Sequence, residues 1–154
     1  SAVRTDASEI DALDLARMWA ARYPGVSDYV WLANSSIYPQ LFNLSVGQMP
    51  VYLPAGGLSA SPYGQIFGRP VVETEYNPYL GTLGDIMLVS PSQYAMIAKG
   101  GVQSASSIHV NFVYDETAFR FVYRVDGQPL WASAITAHDG TSSLSPFVAL
   151  AAST

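Results

Sequence analysis

The sequence predicts an α+β domain in which a central mixed or antiparallel sheet is flanked by two or three helices. One observation behind this prediction is the order of the elements: a helix, a strand and a short helix, followed by several strands. Another is a period of two near residue 120, where Phe119, Arg120 and Phe121 alternate between apolar and polar side chains. Such alternation is typical of a half-buried strand, because successive side chains point to opposite faces of a sheet.

The first 45 residues are expected to supply the helices. Asp6 or Ser8 would cap the first helix at its N-terminus, and Pro24 would end it. Because this helix is apolar nearly all round, it should be covered on several sides. Asn34 provides an N-cap for the second, shorter helix. The predicted elements are a helix at 6–22, a buried strand at 28–33 and a helix at about 36–44.

The rest of the chain is predicted to consist of strands and loops. Residues 45–68 are rich in Gly, Pro, Ser and Gln, and a loop of this length is usually functional or mobile. Asp126 with Gly127 is typical of a tight turn, and the apolar tail at 147–152 needs a partner surface. The strands are predicted at 51–53, 70–75, 85–89, 95–98, twice within 108–125 around an acidic turn at 115–116, and at 130–137, with 104–107 as a loop.

Composition and charge exclude several classes of protein. The 154 residues are 49% hydrophobic and 12% charged, with a net charge of −5. Charged residues usually make up about a quarter of a globular domain, so this chain is neither disordered nor typical of a free monomer. Seven basic residues are too few for a phosphate-binding patch or an anionic membrane surface, so we expect no sequence-specific nucleic acid and no membrane as partners. The absence of cysteine excludes disulfides, zinc–thiolate sites and thiol chemistry in these residues.

No catalytic motif is visible in the sequence. The two histidines are His109, in an apolar strand, and His138, at a strand end, and neither fits a Ser-His-Asp triad. The segment 57–61 comes nearest to a nucleophile elbow but lacks its final glycine. The glycines at 81–84 have no helix behind them, which excludes a phosphate-binding loop. We therefore predict that the protein is not an enzyme and has no catalytic residues, no cofactor and no metal.

Two pairs of acidic residues remain as candidates for chemistry. Glu73 and Glu75 share one face of a strand and would suit acid–base work or a hard cation. An exposed or subunit-facing strand surface explains them more simply. Asp115 and Glu116 are most simply explained as a polar turn between two strands.

Aromatic residues concentrate in the two long loops. Aromatic side chains are enriched at protein–protein interfaces, and with so few charges on the chain we favour an interface over a ligand cleft. Two arginines on one strand face are expected to pair with acids on a neighbouring strand or subunit. The predicted inter-subunit contacts are Tyr52, Tyr63, Phe67, Tyr76, Tyr79, Arg120 and Arg124.

Four ordered segments carry a resemblance to a known family. They are Gly68-Arg69-Pro70-Val71-Val72, Gly84–Val89 followed by Ser90–Tyr94, Ala118–Leu130, and Ala134-Ile135. Ahead of them, the leading helix, the strand ending in Asn34 and the short helix around Leu41 follow the order found in the family. Together these segments resemble the major capsid protein of tailed bacteriophages, with the Hong Kong 97-type fold, over nearly the whole chain.

The resemblance implies a shell subunit with two domains. Residues 1–137 would form the axial domain with its leading helix, and 138–154 would form the C-terminal return segment of the peripheral domain. The N-terminal arm, the extended loop and the spine helix of the family are expected to be absent, because all of them would precede residue 1. The loop around 45–66 would point toward the capsomer axis.

The function implied by the resemblance is structural. The chain would be a fragment of an icosahedral phage capsid subunit that self-assembles into pentameric and hexameric capsomers and encloses packaged DNA. Its location would be the virion, after assembly in the bacterial host cytoplasm, and scaffold or portal proteins would be partners of the full-length protein. Two alternatives are a nanocompartment shell protein of the same fold and a small-ligand or carbohydrate-binding α+β domain. The isolated piece is expected to fold without building shells.

Overall fold

The computed structural model describes residues 1–5, 9–46, 48–55 and 62–152, with the backbone alone for Val46. The chain divides into two compact units, which we call the sheet unit (Ser1–Ser92 and Trp131–Thr154) and the ribbon (Gln93–Leu130). The helices are α1 (Ala12–Ala20) and α2 (Tyr38–Asn43), with 3-10 turns at Ser35–Ile37, Pro91–Gln93 and Phe112–Tyr114. The strands are β1 (Val30–Ala33), β2 (Ser45–Val46), β3 (Met49–Pro50), β4 (Tyr52–Leu53), β5 (Gln65–Ile66), β6 (Arg69–Glu73), β7 (Ile86–Val89), β8 (Tyr94–Ala98), β9 (Gln103–Asn111), β10 (Glu116–Val122), β11 (Val125–Pro129), β12 (Ile135–Thr136), β13 (Ser143–Leu144) and β14 (Phe147–Ala149).

A six-stranded sheet forms the centre of the sheet unit, in the order β14-β7-β1-β6-β5-β4. Strand β1 pairs in parallel with β6, placing Trp31 opposite Val71, and the other neighbours in this sheet pair antiparallel. The predicted α+β architecture with a mixed sheet and few helices is therefore confirmed. The apolar tail also has its partner surface, since β14 lies along β7 and Val148 and Leu150 are buried.

The buried core combines side chains from both helices and from the sheet. Its fully buried members include Leu15 and Met18 from α1, Leu41 from α2 and Trp31 from β1. Trp31 also donates a hydrogen bond from Nε1 to the carbonyl of Ile66, at 3.1 Å, so its one polar atom is satisfied inside the core. Burying an apolar side chain of this size contributes about 1.5–3 kcal/mol, so this cluster is the main source of stability in the sheet unit.

Helix α1 begins six residues later than predicted. Its N-cap is Asp11, whose backbone N–H donates to the carboxylate of Asp14 at 3.3 Å. The same carboxylate accepts from the backbone N–H and the hydroxyl of Thr5. A helix start leaves N–H groups without an intrahelical partner, and Asp14 satisfies one of them here. The predicted caps Asp6 and Ser8 lie outside the described residues.

A buried ion pair joins the start of the chain to the turn before β7. The guanidinium of Arg4 pairs with the carboxylate of Asp85, and the two side chains are only 2% and 0% exposed. Arg4 also donates to the carbonyl of Ala151 at 3.0 Å. Asp85 in turn accepts hydrogen bonds from the backbone N–H groups of Gly81 and Ile86. This cluster ties together three segments of the sheet unit that are distant in sequence.

Two buried asparagines hold the end of β1. The side chain of Asn34 accepts from the N–H of Ser36 at 2.9 Å, which confirms its predicted role as the N-cap of the second helical segment. Its amide donates to the carbonyl of Asn77 at 2.7 Å. The amide of Asn77 donates to the carbonyls of Leu32 and Gly84. Because buried backbone groups need hydrogen-bond partners, these side chains complete the pairing where the strands end.

The ribbon consists of two antiparallel strand pairs, β9 with β10 and β8 with β11. Residues 99–102 on one side and 123–124 on the other separate the two pairs, and Gly100 has a φ of +72° in the longer insertion. At the far end, a 3-10 turn is closed by Asp115 in the left-handed conformation. No residue of the ribbon is buried.

The structure corrects several expectations about the elements. Residues 104–107 belong to β9 instead of a loop, and Asp126 with Gly127 lies inside β11 instead of a tight turn. Helix α1 is buried on one face only, with Leu13 half exposed, and β10 is exposed on both faces instead of half-buried. The short pairs β2–β3 and β4–β5 lie within the segment expected to be mostly loop. Local preference for a strand is weak, and pairing with a partner strand decides such cases.

The carboxylate of Asp28 connects β1 to the segment after β7. It accepts a hydrogen bond from the hydroxyl of Ser90 at 2.5 Å and another from the backbone N–H of Ser92 at 2.9 Å. The Ser90 hydrogen bond is the main cause that holds the pKa of Asp28 below its ordinary value of 3.8. Because the pKa is lower in the folded than in the unfolded chain, this contact stabilises the fold above about pH 4, and the stabilisation is lost as the pH falls through the folded pKa.

Replacing Ser90 by Ala is therefore expected to lower the free energy of unfolding at neutral pH by about 1 kcal/mol, the net value of one hydrogen bond. The difference between the variant and the natural protein should shrink as the pH falls below about 4. Urea unfolding of both proteins across this range measures the difference. A difference that stays constant down to roughly pH 2 would show that the Asp28 charge is not involved.

Candidate interaction surfaces

The predicted contact residues do not meet at one site in the structure. Tyr52 and Tyr63 line a cleft, and Phe67 packs against two tryptophans. The turn after β6 contains Tyr76 and Tyr79, and the ribbon contains Arg120 and Arg124. Tyr76 is 99% exposed, whereas Tyr52 is buried. That these residues contact other subunits stays a prediction.

Tyr38, Tyr52 and Tyr63 line a cleft of about 680 Å³ together with Glu73. Tyr52 lies edge-on to Tyr38, with the ring centroids 6.0 Å apart. Burial raises the pKa of the Tyr52 phenol, and the negative charge of Glu73 raises it further. No ion pair seen among the described residues involves Glu73. The cleft therefore combines aromatic rings with a carboxylate that has no cation beside it in the described part of the chain.

The shape of this cleft depends on Gly64. A Cβ atom at this position would lie 2.4 Å from the hydroxyl oxygen of Tyr52, which is far inside van der Waals contact. Replacing Gly64 by Ala is expected to displace the Tyr52 ring and lower the free energy of unfolding by about 1–3 kcal/mol, the usual cost of overpacking. Chemical denaturation measures this loss.

Gly101→Ala is the matched control, because a Cβ atom at Gly101 meets no atom within 4 Å. Its effect should stay within about 0.5 kcal/mol. An effect as small for Gly64→Ala would contradict the tight packing of Tyr52 against Gly64.

Phe67 belongs largely to the packing of the sheet unit. Its ring lies 5.8 Å from that of Trp19 and 6.5 Å from that of Trp31. Phe67 and Gly68 both have positive φ, at 49° and 70°, and form the two-residue turn between β5 and β6. Such turns match the twist of the flanking strands. With 38% of its surface exposed, Phe67 retains only part of its ring for an external contact.

Exposed apolar side chains concentrate on the ribbon. Phe119 and Phe121 are 70% and 69% exposed and lie on one face of the β9–β10 pair, opposite Ser106 and Ser104. We call this the aromatic face. Exposed apolar patches of this kind mark interaction sites in soluble proteins. The exposed large apolar residues of the ribbon are Tyr94, Met96, Ile97, Val102, Ile108, Val110, Phe112, Val113, Tyr114, Phe119, Phe121, Tyr123, Val125 and Leu130.

The opposite face of the ribbon carries positive charge. Arg120 lies on this face, as does the cross-strand pair Val122 and Gln103. Lys99 and Arg124 line a depression of about 30 Å³ together with that pair. We call Lys99, Arg120 and Arg124 the cation face. Among the described residues none of the three forms an ion pair, so the predicted pairing with acids on a neighbouring strand is not seen there.

Metal binding, acid–base catalysis and membrane insertion find little support in the described residues. They contain no cluster of three or more His, Asp and Glu side chains that would hold a metal ion. His109 and His138 are exposed, as are Glu73 and Glu75. The segment 57–61 lies outside the described residues. Neither helix is long and apolar enough to cross a membrane, as far as the structure describes the chain.

Comparison with known proteins gives one family and a structural match. A family model described as the phage capsid family matches residues 2–139. No curated protein matches the chain. Among solved structures, the chain is similar to the capsid of an empty GTA particle computed with C5 symmetry, with 14% sequence identity and a TM-score of 0.69. That match covers 99% of this chain and 49% of the other, so the chain spans about half the length of the capsid protein it matches.

Proposed function

Since the chain belongs to the phage capsid family and is part of a structural capsid protein, we propose that it has the Hong Kong 97-type fold and assembles with further copies into closed icosahedral shells. In this proposal residues 1–137 form the axial domain with its leading helix, and 138–154 are the return segment of the peripheral domain. Subunits meet in pentameric and hexameric capsomers that enclose packaged DNA.

The observation that carries the proposal is the uncovered ribbon. No residue of the ribbon is buried. On its aromatic face, Phe119 and Phe121 are each exposed over more than two-thirds of their surface. A two-stranded hairpin is marginally stable by itself in water and needs a hydrophobic face packed against something else. In a shell, further capsid polypeptide provides that cover, because much of each subunit's surface is buried against its neighbours.

The low charge content supports the same proposal. Only 12% of the residues are charged, and the fully buried centre of an interface between copies is depleted of charged residues. Scaffold and portal proteins act on the complete protein during assembly in the bacterial host cytoplasm, and the mature location is the virion. Packaged DNA is confined without sequence-specific contacts, which agrees with only seven basic residues in these 154. The proposal assigns no enzyme activity, and neither the nanocompartment nor the ligand-binding alternative is favoured by the comparisons.

Expression of the complete capsid polypeptide that contains these residues, together with its scaffold, tests the proposal. Electron microscopy and sedimentation should reveal closed shells. The 154 residues alone should remain monomers or small oligomers. A complete polypeptide that yields only monomers would contradict the proposal, and so would closed shells from these 154 residues alone.

A further inference from the structure

One cleft of the sheet unit is lined by a carboxylate and by two phenol rings. Glu73 lies at the exposed end of β6 and shares the cleft with Tyr38 and Tyr52. Burial raises the pKa of the Tyr38 phenol, and the charges of Tyr52 and Glu73 add to the rise. An aromatic ring presents a negative face that attracts a cation, and a carboxylate beside it strengthens that attraction.

A matching group lies on the cation face of the ribbon. Lys99 and Arg124 line one small depression, and the described residues supply no carboxylate that pairs with either. Like charges that line one depression repel each other, and an anion between them relieves that repulsion. The carboxylates of the ribbon are engaged elsewhere or lie at its end: Glu116 accepts from Asn111, Asp126 accepts from the backbone N–H of Gly127, and Asp115 lies at the turn.

We propose that Arg124 of one copy enters the tyrosine cleft of a second copy and pairs there with Glu73, with Lys99 beside the same carboxylate. This contact rests on the proposed function, since it joins neighbouring subunits of a shell. Arginine suits the cleft better than lysine would, because its planar guanidinium stacks on aromatic rings while it forms two parallel hydrogen bonds to a carboxylate. Lys99 adds a second positive charge without needing the ring contact.

Charge complementarity selects a second copy over nucleic acid as the occupant. The sheet unit carries nine of the twelve acidic residues and four of the seven basic ones, so its surface is negative. Several of these acids are already engaged, as with Asp14, Asp28 and Asp85. Glu73 is exposed and unpaired in the described residues, so it is available to a neighbour. The protein thus carries both halves of the contact.

Cross-linking between copies tests the pairing directly. The 154 residues contain no cysteine, so Glu73→Cys and Arg124→Cys are made separately in the complete capsid polypeptide, with any cysteine elsewhere in it replaced by serine. The two variants are mixed and treated with a short bis-maleimide, because an Arg–Glu pair holds its Cβ atoms further apart than a disulfide permits. We expect a covalent heterodimer from this mixture. The control pairs Arg124→Cys with Asp139→Cys, whose carboxylate is exposed elsewhere on the sheet unit, and should give none.

Charge exchange is the second measurement. Arg124→Glu should lower the yield of shells by about tenfold or more, since it turns an attraction into a repulsion. Adding Glu73→Arg should restore the yield, whereas adding Glu75→Arg, which does not line the cleft, should leave it low. If Glu75→Arg restores the yield of shells as well as Glu73→Arg does, the pairing is wrong. The pairing is also wrong if the cross-linking gives no heterodimer. If Arg124→Glu instead lowers the DNA content of otherwise normal shells, the cation face binds phosphate and the pairing is wrong.

These outcomes separate the pairing from the proposed function. Shells that form normally without any 73–124 heterodimer would overturn the pairing and leave the capsid function intact. A heterodimer in small oligomers that never close into shells would support the pairing and count against the proposed function.

Discussion

Replacing Arg4 by Met is expected to lower the free energy of unfolding by about 3–5 kcal/mol, the usual loss when one partner of a buried ion pair is removed. The Asp85 carboxylate is completely buried and, among the described residues, would keep the backbone hydrogen bonds from Gly81 and Ile86. Arg4 also holds the C-terminal segment through the carbonyl of Ala151, so that contact is lost as well. Urea denaturation of the chain measures the change.

The control is Arg17→Met. Arg17 lies 3.7 Å from Asp14, but its side chain is 44% exposed, so solvent screens the pair and the loss should be within about 1 kcal/mol. Adding Asp85→Asn to Arg4→Met should recover part of the loss, because it removes the uncompensated buried charge. Equal losses for Arg4→Met and Arg17→Met would contradict the assignment of Arg4–Asp85 as a buried structural pair.

The double substitution Phe119→Ser and Phe121→Ser is expected to abolish shell assembly and leave the sheet unit folded. Covering a phenylalanine side chain contributes about 1.5–3 kcal/mol, so losing two of them weakens each contact at least about 100-fold. Both rings lie in the ribbon, whereas the members of the buried core all lie in the sheet unit. Sedimentation measures assembly, and thermal unfolding checks that the fold persists.

Ala105→Ser with Ala118→Ser is the matched control, because these small residues lie on the opposite face of the same two strands. The control should assemble with the yield of the natural protein. Normal shells from the phenylalanine double variant would mean that the aromatic face is not an assembly surface.

The parts of the fold that the sequence predicts well are those decided by local chemistry. Asn34 follows an apolar run and precedes a helical segment, and its side chain caps that segment as expected. The apolar stretch before it is the central strand β1, and the C-terminal tail lies along the sheet. Each of these depends on residues close together in sequence or on burial of a continuous apolar run.

The sequence fails where partners distant in the chain decide the outcome. Asp126 with Gly127 has the composition of a turn, yet β8 pairs with it as a strand. The start of α1 depends on Asp14, which also binds Thr5, and no pattern at the predicted start reveals that contact. The alternation around Phe119 correctly separates two faces, but alternation does not tell which face is covered or by what.

The same limits apply to the candidate surfaces. Interface composition selects aromatic residues whatever their exposure, and the structure shows that Tyr76 is exposed whereas Tyr52 is buried. The predicted contacts do not include Lys99 and Tyr38. Each of them is of interest only because a residue distant in the sequence lies next to it in the structure. Lys99 lies beside Arg124, and Tyr38 lies beside Glu73.

The central claim is that the aromatic face of the ribbon is covered when the capsid protein assembles. Hydroxyl-radical footprinting of the isolated 154 residues and of shells of the complete polypeptide tests it most directly. Phe119 and Phe121, 70% and 69% exposed here, should be oxidised readily in the isolated chain and several-fold less in shells. Trp31, fully buried, should stay protected in both and serves as the internal reference. Equal oxidation of the two phenylalanines in shells and in the isolated chain would contradict the claim.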